Sequence, residues 1–108
     1  EKDILKNAYI SLKKEEKQAL NIAAERIKIF HKHQIPIDIK YKDHIDVNLG
    51  LKYSPILSAG FYVPGGKAIY PSSVLMNAIP ALVAGVERRV VVSPISDLYK
   101  SCIVLYIL

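Results

Sequence analysis

Gly60-Phe61-Tyr62-Val63-Pro64-Gly65-Gly66-Lys67-Ala68-Ile69-Tyr70-Pro71-Ser72-Ser73-Val74-Leu75-Met76 is the stretch that decides the fold, and it runs on through Pro80 to Gly85. A short apolar run at 61–63 ends in Pro64-Gly65-Gly66, crosses a small loop and reaches a helix start at Ser72-Ser73. Gly65 and Gly66 tolerate positive φ and carry no Cβ, so the backbone can turn sharply there and a ligand can lie close against it. Ser72 or Ser73 can cap the free N–H groups of the helix, and those same groups, with the helix dipole, attract an anion such as a phosphate. The glycine pair alone is also what an ordinary βα turn contains, because the full dinucleotide fingerprint requires a third glycine and a downstream acid.

Outward from this corner, the periodicity predicts the flanking elements. From residue 73, Val74, Leu75, Ala78, Ile79, Leu82 and Val83 are apolar on nearly every side, the pattern of a helix packed between layers. Pro80 removes one backbone N–H and is expected to kink or split that helix. Gly85 closes it, Glu87-Arg88-Arg89 turn the chain, and residues 90–92 read as a buried strand. The strand at 59–63, the helix and this strand make one βαβ unit, the half-module of nucleotide-binding sheets.

Toward the N-terminus, Ser11 is placed to cap a helix reaching about Gln34, with Leu20, Ala23, Ala24, Ile27 and Phe30 in one apolar stripe. Ile4, Leu5, Ala8, Tyr9 and Leu12 repeat the spacing, so a shorter helix precedes it and breaks near Ser11. Beyond Pro36 the period changes from 3.6 to 2. Ile35, Ile37, Ile39 and Tyr41, then Ile45, Val47 and Leu49, alternate with polar residues and describe a β-hairpin, although Asp43-His44 is not a favoured two-residue turn. The expected architecture is therefore α/β: a helical segment (1–34), a β-hairpin (35–50) and a βαβ unit (59–94) of an incomplete Rossmann-like three-layer domain. Residues 95–108 stay unassigned, and their apolar end would leave an unpaired strand edge unless something covers it.

The chain resembles the histidinol dehydrogenase family. The carriers are Gly60-Phe61-Tyr62-Val63-Pro64-Gly65-Gly66, Pro71-Ser72-Ser73-Val74-Leu75-Met76 and Pro80-Ala81-Leu82-Val83-Ala84-Gly85-Val86, in order and without gaps. Ala24-Glu25-Arg26-Ile27 with Phe30-His31 extends the likeness backward, and Val90-Val91-Val92-Ser93-Pro94 extends it forward, so that it spans about residues 19–94. The resemblance implies a homodimeric enzyme that oxidises L-histidinol to L-histidine through an aldehyde, in two NAD-dependent steps at the end of histidine biosynthesis. It also implies a zinc ion held by a glutamine, two histidines and an aspartate, and a Glu-His acid/base pair, all in regions downstream of the corner. His31, His33 and His44 precede the corner and match none of those positions. What carries over is the nucleotide side: Tyr62 matches the family's NAD-contacting tyrosine, and Gly65, Gly66 and Ser72 would shape the wall where cofactor and substrate meet. Each also has a plainer account, Tyr62 as a packed strand aromatic and Ser72 and Ser73 as helix caps.

Composition limits the other readings. At 108 residues the chain corresponds to one small domain, with 51% apolar and 23% charged residues, and it contains no run of the ~20 apolar residues that a membrane span requires. Its start, Glu1-Lys2-Asp3, lacks the character of a signal peptide, and a single cysteine, Cys102, fits a reducing cytoplasm. Cys102 has no partner base placed by any motif, so it is not expected to act as a nucleophile. The net charge of +5 comes with more than half of the basic residues in the first 32 positions, interspersed with Glu15, Glu16 and Glu25. A solvated helix face accounts for that arrangement, so neither nucleic acid nor membrane is expected as a partner. The alternative from another class is a stand-alone anion- or nucleic-acid-binding module on a βαβ scaffold, and a third is a degraded copy without activity.

Overall fold

In the computed structural model, described for residues 3, 7, 10–64 and 70–94, two helices and four strands follow one another as α1 (Lys14–Lys32), β1 (Ile39–Lys42), β2 (Asn48–Leu51), β3 (Ser58–Tyr62), α2 (Pro71–Val83) and β4 (Arg88–Val92). The chain is α/β, with two separate two-stranded sheets: β1 pairs antiparallel with β2, and β3 pairs parallel with β4. The α2 crossover between parallel neighbours is the βαβ unit that the sequence predicts.

Residues Ile10 and Ser11 are still helical, and the break falls at the buried Leu12 and at Lys13. Ser11 does not cap α1. Its hydroxyl donates to the Asn7 carbonyl at 2.7 Å and closes the preceding turn. The N-cap is Lys13, whose N–H donates to the Glu16 carboxylate at 2.9 Å, half of a capping box supplied from inside the first turn. α1 packs along α2, but none of its residues is fully buried, so its apolar stripe is only partly covered among the described residues.

The hairpin differs from expectation in register and turn. Residues 35–38 lie outside the strands, and the connection is the five-residue loop 43–47 rather than an Asp43-His44 pair. Asp43 organises that loop. One of its carboxylate oxygens accepts the N–H groups of Ile45 and Val47, both at 2.9 Å, and its backbone N–H donates to the Val47 carbonyl at 3.0 Å. Asp46 takes the left-handed conformation (φ 68°), which a short polar side chain tolerates, and its carboxylate meets Lys42 Nζ at 3.1 Å. Asp38 then receives the Tyr53 N–H at 2.9 Å and ties the two strand ends together.

α2 begins two residues before the expected start at residue 73. Tyr70 is the N-cap and Pro71 occupies the first turn, where its missing N–H costs nothing and its fixed φ suits the helix. Ser72 and Ser73 are therefore inside the first turn and cap nothing; no side chain caps this end. Pro80 does not split the helix, which runs unbroken to Val83. The carbonyl deprived of its partner belongs to Met76, an exposed residue, so solvent can replace the lost bond. The far end closes as a Schellman motif: Gly85 N–H donates to the Leu82 carbonyl (3.1 Å) and Val86 N–H to the Ala81 carbonyl (3.0 Å), with Gly85 at φ 83°.

Two expectations of burial are also corrected. α2 buries only Val74, Leu75 and Ile79, leaving Met76 and Leu82 exposed, and in β4 Val90 and Val92 are exposed while Val91 alone turns inward. A two-stranded sheet with one helix can cover only one face, so the other face stays open among the described residues. The innermost contact joins Val63 and Val74, which are 1% and 0% exposed, with Val91 against them. The molecule measures 64 × 25 × 25 Å with a radius of gyration of 18.5 Å, against about 13 Å for a compact domain of this length.

Candidate functional site

The corner between β3 and α2 is where the described residues could meet a ligand. β3 and β4 run parallel and in register to Tyr62 and Val92, and Val63 N–H extends the ladder to the Val92 carbonyl at 2.9 Å. Both strands thus end on the same side, the side from which the chain enters α2, and it is outside the carboxyl ends of parallel strands that open α/β sheets hold their ligands. The buried Val63–Val74 contact pins the strand end against the first helical turn. Tyr62 directly precedes Val63 in the strand, so its side chain lies on the sheet face away from α2, the face of Val92, while Ser72 lies two residues before Val74 in the first turn of α2.

Tyr62 is 67% exposed, and Pro64, Tyr70 and Ser72 are exposed as well. The ring of Tyr62 is not a core aromatic. The first turn of α2 carries no acidic residue and no side-chain cap, so the positive end of its dipole is not neutralised by a carboxylate of that turn. Of its leading residues, Pro71 has no N–H and Ser73 N–H donates to the Tyr70 carbonyl at 3.1 Å, which leaves the Ser72 N–H as the donor this end offers. Of the four expected cofactor residues, Tyr62 and Ser72 are described and both exposed, Tyr62 at the end of β3 on the sheet face away from α2 and Ser72 in the first turn of α2, and no described contact joins them. Gly65, Gly66 and Lys67 lie outside the described residues, as do Cys102 and the whole of 95–108.

The histidines are elsewhere. His33 terminates α1 and His44 sits in the hairpin loop, both exposed. His31 is half-buried: its Nδ1 lies 2.6 Å from Gln34 Oε1, its ring meets Phe30 edge-on at 5.4 Å, and its Nε2 is buried without a partner among the described residues. It borders a cleft of about 350 Å³ between the C-terminal ends of α1 and α2 and the segment around Pro55. The i,i+3 spacing of His31 and Gln34 was the available signal for this pair. Among the described residues no three His, Cys, Asp or Glu side chains gather as a metal site, so these residues do not fit the zinc ion that the family resemblance implies. None of the helices formed by them is long and apolar enough to cross a membrane.

Comparison with known proteins decides the family. The family model described as histidinol dehydrogenase matches residues 1–108, the whole chain. The chain belongs to the histidinol dehydrogenase family. It is 58% identical over 80 residues to histidinol dehydrogenase of Cereibacter sphaeroides, an alignment spanning 74% of this chain and 18% of that enzyme. Likewise it is 58% identical over 80 residues to histidinol dehydrogenase 1 of a Nostoc species, spanning 74% of this chain and 19% of that one. The crystal structure of histidinol dehydrogenase from Elizabethkingia anophelis superimposes with a TM-score of 0.89 at 31% identity, over 99% of this chain and 25% of that chain. The chain thus spans about a fifth to a quarter of the length of these histidinol dehydrogenases. Nothing in the described residues favours the nucleic-acid-binding alternative: the lysines of α1 share their helix with Glu15, Glu16 and Glu25.

Proposed function

We propose that this chain forms the nucleotide-facing corner of an NAD-dependent histidinol dehydrogenase, which oxidises L-histidinol to L-histidine by way of the aldehyde in the cytoplasm, as a homodimer. The observation that supports this reading is that parallel β3 and β4 end together where the chain enters α2, with Tyr62 exposed at the end of β3 and no side-chain cap on the first turn of α2. NAD, when bound, accepts a hydride in each of the two oxidations. The chain's own residues bind and orient it. Tyr62 offers an aromatic face to a planar ring of the cofactor, and at the start of α2 the Ser72 N–H and its exposed hydroxyl donate to a phosphate oxygen, since Pro71 has no N–H and Ser73 N–H donates to the Tyr70 carbonyl. Gly65 and Gly66, which have no Cβ, are the residues that the family resemblance assigns to the wall along which the dinucleotide passes. The groups that move protons, and the zinc ion, belong to portions of the family's polypeptide outside this stretch, so the chain alone binds NAD weakly and turns nothing over.

A calorimetric titration with NAD tests this. A stacked ring contributes about 1–3 kcal/mol, so Tyr62→Ala is expected to weaken binding about tenfold or more, while Tyr62→Phe keeps most of it. Equal heats for wild type and Tyr62→Ala would remove Tyr62 from the site.

A further inference from the structure

The β1–β2 ribbon has one face made only of apolar side chains. Ile39 stands opposite Leu51 and Tyr41 opposite Leu49, and because side chains alternate along a strand these four share a face, with Lys40, Lys42, Asn48 and Gly50 on the other. The four apolar residues are between 42% (Leu49) and 57% (Tyr41) exposed. An isolated two-stranded ribbon is marginal in water at best, and a contiguous apolar face on one marks a surface that packs against something.

We infer that this face is a docking surface for the portion of a histidinol dehydrogenase polypeptide that lies outside the stretch matched here. The superposition on the Elizabethkingia enzyme covers 99% of this chain but only 25% of that one, so the ribbon keeps its place within a polypeptide about four times as long, and three-quarters of that polypeptide is available to cover it. A second copy of this chain is the poorer occupant, because each copy carries a net charge of +5 and pairing would bring like charges together. The partner surface is apolar, a helix stripe or sheet face, and it leaves Lys40 and Lys42 in solvent. This inference rests on family membership alone and is independent of the NAD reading, so a failed NAD titration leaves it standing.

The test is co-expression of this chain, carrying an affinity tag, with the non-matching portion of the Elizabethkingia enzyme, followed by co-purification and measurement of the dissociation constant. Tyr41→Lys with Leu49→Lys is expected to weaken association at least about tenfold, since a charge is then buried in an apolar contact. Lys40→Glu with Lys42→Glu is expected to change it less than about threefold. Amide signals of residues 43–47 in both double variants verify that the turn, and hence the ribbon, is intact. Absence of co-purification, or equal loss from both double variants, overturns the inference. Concentration-dependent self-association of this chain that Tyr41→Lys abolishes overturns it too, by making a second copy the occupant.

Discussion

The βαβ unit and the hairpin use the same apolar alphabet to opposite ends. In the βαβ unit the crossover helix lies on the strands it connects, so Val63 and Val74 are sealed by the unit's own chain, with Val91 against them. In the hairpin the cross-strand pairs Ile39–Leu51 and Tyr41–Leu49 align just as regularly, yet no described element lies over them. The lesson is that apolar patterning specifies which face must be covered, while only topology decides whether the cover comes from nearby in the chain.

The contrast can be broken by substitution. Val74→Ala removes two methyl groups from a fully buried position and is expected to cost about 2 kcal/mol, whereas Tyr41→Ala on the open face is expected to stay within about 0.5 kcal/mol. Urea denaturation of both variants checks this, and comparable losses would mean that the hairpin face is already sealed in the free chain. Gly85→Ala is the next largest. The added Cβ finds room, with Pro55 no closer than 3.6 Å, so the penalty is that of a left-handed residue bearing a side chain, about 1–2 kcal/mol. Gly85→Asn should recover part of it, and thermal melting distinguishes the two. Asp43→Ala is smallest and most local. It deprives two N–H groups of their acceptor, and faster amide exchange at Ile45 and Val47 is expected while exchange in α2 is unchanged.

How much of this was legible depends on whether a feature is local. The glycine-closed end of α2, the period change after Pro36 and the parallel unit follow from residues whose preferences act over one turn or one strand. The helix start was misplaced because serine caps are common, yet Pro71 competes for the first turn and won. The hairpin turn escaped because it depends on the Asp43 side chain reaching two and four residues ahead, which a two-residue turn rule does not capture. Burial of Val90 and Val92 was over-read, since an apolar strand predicts a covered sheet without naming what covers it. At the candidate site, Tyr62 and Ser72 are named by the family resemblance, and only their exposure is added by the structure. The buried Nε2 of His31, without a partner among the described residues, is not legible in the sequence, because it depends on where α1, α2 and the Pro55 segment converge.

The most direct measurement is a titration of the isotopically labelled chain with NAD, followed by amide and aromatic NMR signals. The account expects the Tyr62 ring and the amides of Val63, Ser72 and Ser73 to shift together, with one dissociation constant. Shifts confined to the hairpin or to the His31 cleft, or no shift at the β3–α2 corner at saturating cofactor, would contradict it.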